Sequence, residues 1–135
     1  MKVFTTDKIR NVVVLGHSGA GKTSLVSAMN GIATASKQRM TEPAATTQML
    51  VQPILWDDHK INILDVPGAF DFVGEIEEAV GVADAAIIVI SGKNGVENGT
   101  RKAWAMCEKY HLPRIVYVSD MDIDDVSFKN VVLGL

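Results

Sequence analysis

A lysine and a threonine close a glycine-rich stretch near the start of the chain, "GHSGAGKTS" (16–24). Gly16, Gly21, Lys22 and Thr23 match the pattern G-x-x-x-x-G-K-[ST]. In such a loop, glycines let backbone N–H groups turn inward around phosphates, and the following helix adds the positive end of its dipole. We expect Lys22 to reach the β- and γ-phosphates of a nucleotide and the Thr23 hydroxyl to ligate Mg²⁺. The alternative is a strand-to-helix turn with an incidental lysine.

The elements around this loop are the ones that a phosphate site requires. The apolar run "NVVVLG" (11–16) predicts a buried parallel strand, and "KTSLVSAMNG" (22–31) predicts a helix that ends at Gly31. The loop residues predicted to contact the nucleotide are His17, Ser18, Gly19, Ala20, Gly21, Lys22, Thr23 and Ser24.

The remaining chain alternates strand and helix patterns. Stretch 31–48 has no clear period and predicts a long loop, and Pro53 favours an edge position for the first strand of a predicted hairpin. Further strands are predicted at 49–56, 60–66, 85–91 and 113–120, and helices at 71–80, 100–111 and 124–135. The last helix is expected to turn Phe128, Val131, Val132 and Leu135 inward. This alternation predicts a three-layer α/β fold with a mostly parallel sheet.

Composition limits the classes of function. The chain has 135 residues, is 47% hydrophobic and carries a formal net charge of −3, which suits one globular domain. That charge gives no electrostatic argument for binding nucleic acid or an anionic membrane. Cys107 is the only cysteine and is expected to lie in the core. The longest apolar run, 82–90, is too short to span a bilayer, so we expect a cytoplasmic protein.

A second candidate phosphate contact follows the hairpin. "DVPG" (65–68) ends a predicted strand, where Asp65 could hold Mg²⁺ through water and the Gly68 N–H could donate to a γ-phosphate. We therefore assign Lys22 and Gly68 to the reacting phosphate and Thr23 and Asp65 to the metal. The alternative is an ordinary Asp-Pro-Gly turn.

Three stretches together carry a resemblance to a known family. "TTDKIRNVVVLGHSGAGKTSLVSAM", "HKINILDVPGAFDFVGEIEEAVGVADAAIIVISGKNGVENGT" and "LPRIVYVSDMD" resemble the GTP-binding domain of elongation factor G and its translational-GTPase relatives, in order and spacing. The resemblance implies a P-loop NTPase fold of the small G-domain type, incomplete at its C-terminus, with GTP or GDP and Mg²⁺ as ligands. It implies that residues 1–135 form a GTP-binding domain of a longer factor that acts on the ribosome.

The resemblance also shows where the reactive parts depart from the family. Translational GTPases place a histidine after the glycine of D-x-x-G to orient the attacking water, and this chain has Ala69, whose methyl group cannot hydrogen-bond to water. We expect very slow or absent hydrolysis. The family's first mobile loop supplies a threonine to Mg²⁺, and the matching place is Thr46 or Thr47, with Thr46 preferred. A flexible Thr-rich loop is the alternative. His59 and His111 do not match the water-positioning place and are expected in loops or on the surface, as is His17.

The base-recognition motif is also changed. The family reads guanine with Asn-Lys-x-Asp after a strand, and the corresponding stretch here is "SDMD", in which Asp122 keeps the carboxylate. Ser119 replaces the asparagine, and Asp120 replaces the lysine that would lie over the base. The loss of these two contacts to the base is expected to weaken the affinity for guanine nucleotide by roughly ten- to a hundredfold in total.

The acidic run has other interpretations. It begins like a calcium loop, but Asp125 and Val131 stand where that loop requires glycine and glutamate, so we reject this interpretation. Asp124 could be the N-cap of the last helix, with Asp125 in its first turn.

Three functions remain open from the sequence. The first is a guanine-nucleotide-binding domain with weak hydrolysis, and the second is a P-loop ATPase or kinase-like phosphotransferase. The third is a pseudo-GTPase that serves as a binding or regulatory module, which Ala69, Ser119 and Asp120 favour over an active enzyme.

Overall fold

The described part of the chain forms a five-stranded sheet with helices on both faces. A computed structural model describes residues 3–34, 49–68 and 73–135. The strands are β1 (Ile9–Gly16), β2 (Leu50–Trp56), β3 (His59–Asp65), β4 (Ala85–Ser91) and β5 (Arg114–Ser119). The helices are α1 (Lys22–Ala33), α2 (Val73–Val82), α3 (Asn98–Lys109) and α4 (Phe128–Leu133), and a short 3₁₀ turn spans Thr6–Lys8.

The strands lie in the order β2-β3-β1-β4-β5. All neighbouring pairs are parallel except β2 and β3, which form the predicted antiparallel hairpin. Pro53 lies in β2 at the edge of the sheet, as predicted, because a central strand would need the backbone N–H that proline lacks. The mostly parallel three-layer α/β fold is therefore confirmed.

The two faces of the sheet form separate apolar cores, because successive side chains of β1 point in opposite directions. Val13 and Leu15 pack in the core beneath α2 and α3, which also contains the fully buried Cys107. Val14 packs in the core beneath α1 with Val26. Burial on both faces explains why β1 is a continuous apolar run.

The strand order indicates where a ligand would bind on the sheet. The chain leaves β1 through α1 towards β2 and β3 on one side, and returns from β3 through α2 to β4 on the other side of β1. In open α/β sheets, ligands bind at the carboxyl ends of the strands where the order diverges in this way. Gly16 and Asp65 lie at those ends of β1 and β3.

Two residues predicted to mark helix ends, Gly31 and Asp124, do not do so. Helix α1 continues through Gly31 to Ala33, and it ends where the Thr34 backbone N–H and hydroxyl both donate to the Asn30 carbonyl. Helix α4 has Ser127 and not Asp124 at its N-cap position.

The inward face predicted for α4 was also wrong in most positions. Of the four predicted residues only Val131 is buried, and the Phe128 side chain is 57% exposed. Val132 and Leu135 are exposed as well. Among the described ranges, no helix is both long and apolar enough to cross a membrane.

Candidate functional site

The glycine-rich loop joins β1 to α1 in a conformation that glycine makes accessible. Gly16, Gly19 and Gly21 all have positive φ angles, of 144°, 79° and 92°. A side chain at Gly16 would also collide with the carbonyl oxygen of Val89 in the neighbouring strand β4. Gly21 occupies the N-cap position of α1, so the loop leads directly into the N-terminus of that helix. The sequence therefore forms the strand–loop–helix arrangement that phosphate binding needs.

Lys22, the first residue of α1, turns back over this loop. Its side chain is only 7% exposed, and Nζ donates to the carbonyl oxygens of His17 at 2.9 Å and Gly16 at 3.2 Å. Burial lowers the pKa of the ammonium group, and the charge of Asp65 acts in the opposite direction. A buried cation inside the loop is what a polyphosphate would neutralise.

Asp65 ends β3 on the other side of the lysine. It is fully buried, and neither carboxylate oxygen makes a hydrogen bond of ordinary geometry with a residue in the described ranges. Burial raises the pKa of the carboxyl, while the Thr23 hydroxyl and the Lys22 charge lower it. A charged carboxylate that is buried without hydrogen bonds raises the free energy of the folded state, so the position is suited to a ligand that supplies positive charge.

Gly68 lies against the loop, three residues beyond Asp65. A side chain there would meet the Ser18 backbone N at 2.8 Å and would collide with Lys22 Nζ. Only glycine therefore allows this segment to approach the loop so closely. Lys22, Thr23, Asp65 and Gly68, the residues predicted to contact phosphate and metal, therefore lie near one another. Thr46 and Ala69 lie outside the described residues.

The base-recognition candidates reach the same loop through β5. The Ser119 hydroxyl donates to the Ala20 carbonyl at 2.9 Å, which places the turn after β5 beside the start of α1. Asp122 is exposed in that turn. Asp120, at a φ of 57°, accepts a hydrogen bond from Ser91 at 2.6 Å.

His17 has more contacts than a surface histidine. Its Nδ1 accepts from the backbone N–H of Gly99 at 3.3 Å, and its Nε2 lies 3.5 Å from Glu97. A side chain at Gly99 would approach within 2.6 Å of the His17 Cα, so the start of α3 packs directly on the loop. By contrast, His59 is the first residue of β3, directly after the hairpin turn, and His111 lies in the turn after α3, and both are exposed.

Ser91, Glu97 and Gly99 were not identified from the sequence. Ser91 ends β4, the strand beside both β1 and β5, so its position at the carboxyl edge of the sheet was the signal that could have found it. The Glu97 and Gly99 contacts depend on how α3 packs, for which the local sequence carries no signal.

Comparison with known proteins identifies the family of the chain. The family model described as "Elongation factor Tu GTP binding domain" matches residues 7–133. Elongation factor G of Salinibacter ruber is 34% identical over 95% of this chain. The mitochondrial ribosome-releasing factor 2 of Drosophila melanogaster is 33% identical over 96% of it. The chain spans 20% of the length of each of these two relatives.

Solved structures show the same fold. A crystal structure of a protein from Thermus thermophilus superposes with a TM-score of 0.84 at 34% identity, covering 95% of this chain and 22% of that one. The translation elongation factor SelB of Methanococcus maripaludis, in complex with the GTP analogue GppNHp, gives a TM-score of 0.80 at 21% identity, covering 99% of this chain and 26% of that one. Because the family model matches residues 7–133, nearly the whole chain, this chain belongs to the elongation factor Tu GTP-binding domain family of translational GTPases.

Proposed function

We propose that this chain binds a guanine nucleotide with Mg²⁺, as the GTP-binding domain of an elongation-factor-G-like translational GTPase. The observation that carries the proposal is the presence of two buried charged side chains, Lys22 and Asp65, near the carboxyl ends of β1 and β3. Asp65 makes no hydrogen bond of ordinary geometry to any described residue. A polyphosphate would neutralise the lysine, and a divalent cation would neutralise the carboxylate.

The metal would be held by the Thr23 hydroxyl and the Asp65 carboxylate, with Thr46 as a further proposed ligand. Among the described residues, no group of three or more histidine, cysteine or acidic side chains could hold a metal by itself. A Mg²⁺ site of this kind therefore depends on phosphate oxygens and water as additional ligands, which is how Mg²⁺ commonly binds with nucleotides. The bound ion would neutralise charge on the phosphates.

The other residues have separate roles at the phosphates. Backbone N–H groups of the loop would donate to the phosphate oxygens, with the N-terminus of α1 adding its dipole. Gly68, held against Ser18, would place its N–H near a γ-phosphate. Selection of guanine would rest on Asp122, because Ser119 and Asp120 supply neither the amide nor the cation of the family motif.

Hydrolysis is proposed to be very slow, because Ala69 follows Gly68 where the family has histidine. This observation favours a second candidate, a pseudo-GTPase used as a binding module. Single-turnover assays with radiolabelled GTP on the wild-type chain and on Ala69→His would separate the two. A wild-type rate equal to that of a GTP-hydrolysing relative would contradict slow hydrolysis. We propose the ribosome as the partner of the longer protein, in line with the names of the relatives.

The nucleotide proposal is tested by calorimetric titration with Mg²⁺–GDP and then Mg²⁺–ADP under identical conditions. We expect GDP to bind more tightly than ADP, and Asp122→Ala to remove that preference. Asp124→Ala is the matched control, since it removes an exposed carboxylate two residues away. Equal binding of GDP and ADP would favour the ATPase or phosphotransferase alternative, and absence of binding would contradict the proposal.

A further inference from the structure

Asp120 forms a side-chain link between the ends of β4 and β5. Its Oδ2 accepts from the Ser91 hydroxyl at 2.6 Å, and Ser91 is only 3% exposed. Ser91 Oγ in turn accepts from the backbone N–H of Asn94 at 3.3 Å, so both its donor and its acceptor capacities are used. A buried hydroxyl that lost the Asp120 acceptor would be left with an unsatisfied donor.

The adjacent residue, Ser119, extends this link to the glycine-rich loop (16–24), called the phosphate loop below. Ser119 Oγ lies 2.9 Å from the Ala20 carbonyl oxygen, 3.2 Å from Asp120 Oδ2 and 3.4 Å from the Ile90 carbonyl oxygen. A hydroxyl has one proton, and the shortest distance favours donation to Ala20. The Ser119 carbonyl also accepts from the Gly92 backbone N–H at 2.9 Å. The turn that begins at Ser119 is therefore fixed to both β4 and the phosphate loop.

The backbone of Asp120 is consistent with a fixed role. Its φ of 57° lies in the left-handed region, which aspartate tolerates better than most residues. The Asp120 carboxylate accepts a hydrogen bond from Ser91. It has neither the positive charge nor the long apolar stem of the lysine that the family places over the base. Asp122 follows two residues later, in the same turn.

We propose that Asp120 is a positioning residue for base recognition. Through Ser91 it holds the turn containing Asp122, so that Asp122 reads guanine without a cation over the base. This inference rests on the proposed function, because it concerns how the same nucleotide site selects its base. A lysine at this position would break the link, since an ammonium group cannot accept the Ser91 proton. Restoring the family residue therefore weakens guanine recognition in this chain.

The experiment compares Asp120→Asn, Asp120→Ala, Asp120→Lys and Ser91→Ala in the full chain, by calorimetric titration with Mg²⁺–GDP and Mg²⁺–ADP. Asp120→Ala and Asp120→Lys are expected to lower GDP affinity about tenfold and ADP affinity less than about twofold, because only the guanine contact depends on Asp122. Asp120→Asn keeps an oxygen that can accept from Ser91, so it should stay within about threefold of wild type. Asp124→Ala should change neither affinity.

A double variant tests the link itself. Ser91→Ala should lower GDP affinity as Asp120→Ala does, and combining the two should lower it no further, because both remove the same hydrogen bond. Thermal unfolding of each variant is measured in parallel, and a wholly structural role would lower GDP and ADP affinity equally.

The outcomes separate this inference from the proposed function. If the wild-type chain prefers GDP but Asp120→Ala leaves the preference unchanged, or Asp120→Lys strengthens GDP binding, the positioning role is wrong and the proposed function stands. Equal losses for GDP and ADP also overturn it. If the wild-type chain binds neither nucleotide, both are wrong.

Discussion

Replacing Asp65 by asparagine should stabilise the nucleotide-free protein and abolish its response to Mg²⁺. The wild-type carboxylate is fully buried, and neither of its oxygens makes a hydrogen bond of ordinary geometry within the described residues. Its pKa is raised, by burial first, even though the Thr23 hydroxyl and the Lys22 charge act to lower it. The net effect of folding is thus to disfavour the charged carboxylate, and a neutral amide of nearly the same shape avoids that cost.

The expected gain is moderate, because an asparagine amide is itself polar and Lys22 loses an opposing charge. A buried polar group left unsatisfied costs about 1–3 kcal/mol, so we expect Asp65→Asn to raise the free energy of unfolding by about 1–2 kcal/mol at pH 7. For a domain of this size that corresponds to a rise in Tm of roughly 3–10 °C.

The pH dependence has a definite sign. The folded pKa of Asp65 lies above its ordinary value of 3.8, so the folded state binds more protons than the unfolded state between those two values. The free energy of unfolding therefore falls as pH rises through that window and stays reduced above it. Asp65→Asn should lack this fall, and the difference in Tm between the variant and wild type should grow as pH rises from 3.8 towards neutrality.

Differential scanning calorimetry of nucleotide-free protein between about pH 4 and pH 7 measures both effects. Asp124→Asn is the matched control, because the same change at an exposed carboxylate should shift stability by less than about 0.5 kcal/mol. Titration of GDP with and without Mg²⁺ gives the second half of the prediction, since Mg²⁺ should tighten binding only in wild type. A variant less stable than wild type at neutral pH would refute the reasoning.

Substitutions at three glycines give contrasting predictions. Gly99→Ala should destabilise the protein by about 1–3 kcal/mol in urea unfolding, because its new Cβ would press on the His17 backbone. Gly81→Ala in α2 should instead stabilise it by about 0.5–1 kcal/mol, since the position is helical and open, and the same sign for both would contradict the packing argument. Gly68→Ala should weaken GTP binding about tenfold more than GDP binding in a fluorescent-nucleotide titration. The new Cβ would disturb Lys22 and Ser18 for both nucleotides, but it would displace the proposed γ-phosphate donor for GTP alone, so equal losses would count against that role.

The fold could be predicted where sequence pattern and local chemistry agree. The apolar run of β1, the positive-φ glycines and the start of α1 at Lys22 all point to one strand–loop–helix unit. The hairpin could also be predicted, because the polar Asp57 and Asp58 stand between two strand patterns. Aspartate tolerates the positive φ angles that a two-residue hairpin turn requires, and both residues adopt them. These features depend on residues close in sequence.

The errors occurred where the outcome depends on contacts beyond the local pattern. Gly31 resembles a helix stop, but the helix continues because Thr34 provides the closing hydrogen bonds three residues later. The apolar residues of α4 predict an inward face, yet only Val131 reaches the core. Amphipathic spacing identifies a face that is able to pack, but it does not identify the element that would cover it.

Three neighbouring elements hold the phosphate loop in its conformation. Val89 of β4 excludes a side chain at Gly16, and α3 packs on His17 through Gly99. Ser119, the last residue of β5, donates a hydrogen bond to the Ala20 carbonyl. The loop is therefore preorganised by protein contacts, and a polyphosphate would bind without a large cost of ordering it. The proposed base contact depends on the Ser119–Asp122 turn, which joins this framework at one end and is exposed at Asp122. Changes in the base motif can consequently alter the choice of nucleotide while leaving phosphate binding in place, as the separate GDP and ADP titrations would show.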